Sequence, residues 1–118
     1  MSNIYDAIDK TRLEIINEYD IQKSALDKKK SIMIDFVENT VCRIIDEIRE
    51  DREKDKDIIG NFYFVENIPS ELSNYHSKLF ILRCLENTFL SGGFTRVEYA
   101  EYDLEDVDET PLIYVYWK

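Results

Sequence analysis

A chain of 118 residues is long enough for one domain with one real core, burying roughly two thirds of the surface its unfolded form would expose. A composition of 44% hydrophobic and 13% aromatic residues excludes wholesale disorder, and 34% charged residues points to long solvated helix faces. The net charge of −10 argues against direct binding of nucleic acid, because a surface that neutralises phosphates needs the opposite sign.

The chain divides by its helix breakers. The first glycine is Gly60 and the first proline Pro69, whereas all five residues of these two types fall in the second half. A single domain over 1–118 is expected, with a helical arm over 1–58 and a compact α+β part over 59–118.

Asn3 is positioned to cap a first helix, and Asp6 suits the positive end of its dipole. Ile4, Ile8, Ile15, Tyr19 and Leu26 recur along one face of that helix, interrupted by Thr11 and Gln22. So narrow a stripe reads as a partner-facing element rather than the middle of a core. Apolar periodicity lapses at Asp27, Lys28, Lys29, Lys30 and Ser31, where a turn would fold the arm into a helical hairpin. The alternative is a rod of roughly 55 residues, about 80 Å long, which would need a second chain to cover it. The second helix is core: Met33, Ile34, Val37, Val41, Ile44, Ile45 and Ile48 cover a broad face. The charged run Arg49 to Asp57 reads as its solvated end, with Glu50 and Lys54 at a favourable spacing.

Phe62 to Val65 read as a short strand stopped by Asn67 and Pro69. Ser70 is expected to cap a buried third helix that carries Leu72, Tyr75, Leu79, Leu82 and Phe89 and ends at Gly92 and Gly93. Phe94 to Tyr102 and Leu112 to Trp117 read as a C-terminal antiparallel β-hairpin, which forms a small sheet. On its last strand Leu112, Tyr114 and Tyr116 face one way, and Ile113, Val115 and Trp117 the other. One of these apolar faces should pack on the third helix. The other needs the arm or another molecule to cover it.

The search for chemistry finds little. His76 stands without a nucleophile or orienting acid at a motif spacing, and no glycine-rich phosphate loop is present. Cys42 and Cys84 lie in different helical patterns, which disfavours a redox or zinc pair. The acidic block that contains Glu105, Asp106, Asp108 and Glu109 lacks the spacing and central glycine of a calcium loop. No catalytic residue, cofactor or metal is therefore expected, and no small-molecule substrate is evident.

The function this pattern supports is a non-enzymatic protein–protein interaction module, an assembly, structural or accessory component. The expected partner has a basic surface, and self-association into a homodimer is expected as well. The candidate contact residues are Ile4, Ile8, Ile15, Tyr19, Glu105, Asp106, Asp108, Glu109, Tyr114 and Tyr116. The alternative is an acidic inhibitor that imitates a run of phosphates in the groove of a DNA- or RNA-binding enzyme. A chain rich in isoleucine and poor in alanine suits an AT-rich genome, such as that of a phage, a large DNA virus or an AT-rich bacterium. No apolar run approaches the roughly 18 residues of a membrane span, and the N-terminus lacks a secretory pattern, so the cytoplasm is the expected location.

Overall fold

The computed structural model describes residues 3–21, 27–100 and 110–118, apart from the side chains of residues 19–21, 27 and 28. Helices α1 (Ile4–Ile21) and α2 (Asp27–Lys54) are followed by strand β1 (Gly60–Phe64), a 3-10 turn (Ser70–Leu72), helix α3 (Tyr75–Ser91) and strands β2 (Arg96–Tyr99) and β3 (Leu112–Tyr116). The class is α+β, with N-terminal helices and a small antiparallel sheet.

The arm is a hairpin. Ile4 and Ile8 meet Val41 and Ile45, while Ile15 lies beside Ile34, so α1 runs antiparallel to α2. Arg12 adds an ion pair to Glu38 at 2.5 Å. The lysine cluster is not the turn, since α2 already begins at Asp27. Lysine is a good helix former, so the lapse in apolar spacing there is no break in the helix.

Local chemistry accounts for the helix ends. The Asn3 side chain accepts the Tyr5 amide at 3.0 Å, capping α1. α3 is capped by Asn74, which accepts the Ser77 amide at 2.8 Å, and not by Ser70, which opens the 3-10 turn behind Pro69. At the other end of α3 the Phe94 amide donates to Phe89 and the Gly93 amide to Leu90. This is a Schellman closure, sealed by an edge-on contact between the Phe89 and Phe94 rings at 5.2 Å. Only Gly93 takes the left-handed conformation, with φ 99°. Gly92 has an ordinary φ and serves a different purpose: a Cβ there would collide with the Ile4 side chain, so its glycine lets α1 approach the end of α3.

β3 is the central strand of a three-stranded sheet in the order β1-β3-β2, with both pairings antiparallel. The β2–β3 pairing is the hairpin expected from the sequence. One core joins sheet and helices: Tyr63, Val65, Val97, Ile113 and Val115 pack with Met33, Val37, Val41, Ile44, Ile81, Leu85 and Phe89. Asp51 near the end of α2 ties the layers together. Its Oδ2 accepts the Tyr63 hydroxyl at 2.7 Å and the Asn61 amide at 3.1 Å.

α1 belongs to this core more than its sparse stripe indicates. Ala7, Thr11 and Ile15 are buried at successive turns, and Ile15 is 1% exposed. Thr11 does not interrupt the face, because its hydroxyl meets that of Thr88 on α3 at 2.5 Å.

Candidate functional site

Alternation along the strands sends one set of side chains into the core and the other to a face that no helix covers among the described residues. Phe62 and Phe64 on β1 and Tyr114 on β3 lie there, each 40–46% exposed, with Leu112 and Tyr116 half buried beside them. The register explains why they form one patch. Phe62 stands opposite Tyr114, Phe64 opposite Leu112, and Gly60 opposite Tyr116. Ring centroids of Phe62 lie 5.9 Å from Phe64 and 6.0 Å from Tyr114, both edge-on, and Tyr114 stacks along Tyr116 at 6.5 Å.

Gly60 completes the patch by absence. A Cβ there would stand 2.6 Å from the Tyr116 ring, so the glycine lets that ring lie close across β1. On the other side, Arg96 places its guanidinium 4.2 Å from the centroid of Tyr116 and pairs with Glu98 at 3.0 Å. The two charges on β2 cancel. The face is therefore aromatic and close to neutral on a chain whose net charge is −10.

The edge of β1 is less available than its face. Arg43 donates to the Phe64 carbonyl at 2.5 Å, and the Phe62 amide donates to the Asn61 side chain at 2.9 Å. These bonds occupy groups that an added strand would need. At β1 the side chains, rather than the strand edge, are what the sheet offers to another molecule.

Elsewhere the chemistry is sparse. His76 is exposed and packs edge-on against Tyr75 at 5.6 Å. Cys42 is exposed and Cys84 buried, both as free thiols. Burial, followed by the nearby charges of Glu14 and Glu18, pushes the Cys84 thiol up to about 12. Burial and its bond to Asp51 likewise push the Tyr63 hydroxyl well above the ordinary range. Both groups are thus held protonated, which is the opposite of what a nucleophile needs. Among the described residues no three His, Cys, Asp or Glu side chains converge as a metal site.

The residues singled out from the sequence separate accordingly. Tyr114 and Tyr116 lie on the open face. Ile15 is in the core, and Ile4 and Ile8 pack against it, so these three isoleucines serve the protein's own core. The side chain of Tyr19 and the residues Glu105, Asp106, Asp108 and Glu109 lie outside the described residues. Phe62 and Phe64 were missed. Their i, i+2 spacing in a short strand was the available signal, but only the register brings them beside Tyr114.

No protein-family model, characterised protein or solved structure matches this chain. No helix among the described residues is long and apolar enough to cross a membrane.

Proposed function

We propose that this chain is a non-enzymatic protein-interaction module whose docking surface is the open aromatic face of the sheet. The observation that carries this reading is the contact of Phe62 with both Phe64 and Tyr114 on a face that no helix covers among the described residues. Exposed aromatic side chains, grouped and held rigid by cross-strand neighbours, are the usual anchors of protein interfaces.

Size and charge describe the partner. Three strands about 4.8 Å apart, two of them five residues long and one four, at about 3.3 Å per residue, give a face of at most roughly 14 by 17 Å. That is well below the roughly 800 Å² per partner of a standard interface, and it suits one short apolar element such as a helix of about three turns. Self-association through this face alone would be weak. The overall negative charge favours a partner that is basic around its apolar stripe, with long-range attraction speeding encounter and the neutral aromatic patch closing the contact. In this reading the protein acts in the cytoplasm, where two unpaired cysteines are stable, as an assembly or accessory component, and a viral or phage source fits its composition.

The test replaces both Phe62 and Phe64 with Ser. The double variant is expected to keep its thermal midpoint within a few degrees and to lose the partner bound by the wild type. Reversal of Glu105, Asp106, Asp108 and Glu109 to Lys separates the phosphate-mimic alternative, which would lose its partner in that variant and retain it in the serine variant.

A further inference from the structure

The two edges of the sheet differ. At β1 the outward groups of Phe62 and Phe64 are taken by Asn61 and Arg43, whereas among the described residues no strand pairs with the outer edge of β2. The ladder bonds fix which groups point out there. The Val65 amide donates to the Pro111 carbonyl at 2.8 Å, which in this register makes Ile113 and Val115 the residues of β3 that bond to β1. Tyr114 and Tyr116 therefore bond to Glu98 and Arg96 on the other side, and Val97 between them turns its amide and carbonyl away from the sheet. No side chain among the described residues bonds to them.

The charges beside Val97 are arranged symmetrically about it. Arg96 and Glu98 both lie on the open face, well exposed and 3.0 Å apart, while the Val97 side chain is buried in the core. A second β2 laid antiparallel with Val97 opposite Val97 sets Arg96 against Glu98 and Glu98 against Arg96. In that register the two Val97 residues exchange both backbone hydrogen bonds, and the charged pairs fall at the non-hydrogen-bonded positions, where side chains stand closest. Four charges then alternate in sign around the two-fold axis. Sliding the strand by two residues either way sets Glu98 against Glu98 or Arg96 against Arg96, so only one register is favoured. Like charges on an edge strand keep copies apart, but this pair of opposite sign does the reverse.

We infer that the outer edge of β2 binds a second copy of this chain, joining two sheets into one of six strands in the order β1-β3-β2-β2-β3-β1. The occupant is a second copy because Arg96-Val97-Glu98 is its own complement in charge and in backbone register. The contact is short. Pairing over a four-residue strand buries far less than the roughly 1,200 Å² of a stable interface, so the dimer is weak and forms only at high protein concentration. The two-fold axis leaves both aromatic patches open on the same side of the joined sheet. The inference therefore stands whether or not that face is a docking site.

The test is sedimentation equilibrium of the full chain from about 20 µM to about 1 mM, at about 0.15 M salt to screen the negative charge that the two copies share. A reversible monomer–dimer equilibrium is expected. Arg96→Glu and Glu98→Arg should each weaken it about tenfold or more, by setting like charges opposite, and the Arg96→Glu/Glu98→Arg double variant should restore it. Mixed in equal amounts, the two single variants should pair with each other, since each then presents the charges that the other lacks. An unchanged thermal midpoint in dilute solution confirms that each variant is folded. Hydrogen exchange locates the contact: the Val97 amide should exchange more slowly at the high concentration than at the low one, and the Phe62 amide on the far edge should not change. A monomer at every concentration, a dimer that the single variants leave intact, or single variants that fail to pair when mixed would overturn the inference.

Discussion

The hydroxyls of Thr11 and Thr88 meet at 2.5 Å across the buried junction of α1 and α3. The direction of the bond follows from its neighbour: Thr88 Oγ1 donates its one proton to the Cys84 carbonyl at 2.7 Å, so Thr11 must donate to Thr88. Thr11→Val should cost about 1 kcal/mol, and Thr88→Val more, because it strands the Thr11 donor in the core. The double valine variant should lose less than the sum, with a coupling of about 0.5–1.5 kcal/mol measured by urea denaturation. Strict additivity would mean that the two hydroxyls do not act as a pair.

Asp51 is the second place where a single side chain holds two layers together. Asp51→Ala leaves the Tyr63 hydroxyl and the Asn61 amide without their acceptor and should destabilise by about 1–3 kcal/mol. Asp46→Ala, which removes only a loose exposed pairing with Arg49, should change stability by less than about 0.5 kcal/mol. Chemical denaturation midpoints of the two variants make the comparison, and equal midpoints would remove Asp51 from its clamping role.

Alkaline stability follows from the buried thiol. Unfolded Cys84 ionises near its ordinary value of 9.0, whereas the folded protein holds the proton up to about 12, chiefly because the group is buried. Above pH 9 the unfolded state therefore binds fewer protons than the native one, and stability falls as pH rises. The slope from this one group is about 1.4 kcal/mol per pH unit. Tyr63 acts in the same direction above its ordinary 10.0. Urea unfolding from pH 8 to 10.5 should show a shallower decline for Cys84→Ala than for the wild type. Parallel declines would mean that Cys84 titrates alike in both states.

The elements themselves were largely legible in the sequence, because they rest on local chemistry: the Asn3 cap, the apolar face of α2, the glycines after α3 and the alternation along β3. What was not legible rests on contacts distant in sequence. Thr11 read as a polar interruption, since its partner lies 77 residues away. The lysine run read as a turn because a loss of apolar spacing resembles a loss of helix when no packing is in view. The two apolar faces of β3 were foreseen, but not that the helical arm would leave one of them open. That choice decides the candidate site: it leaves Phe62, Phe64 and Tyr114 uncovered and takes Ile15 into the core.

The central claim is that the open aromatic face is where this protein meets its partner. A photoreactive phenylalanine analogue placed at position 62, 64 or 114, and at position 83 as a control, tests it most directly. The account predicts crosslinks from 62, 64 and 114 to one and the same protein in native extract, none from 83, and loss of the adduct at 114 when Phe62 and Phe64 are Ser. Crosslinks from position 83 alone, or adducts at 114 that survive the double serine substitution, would contradict it.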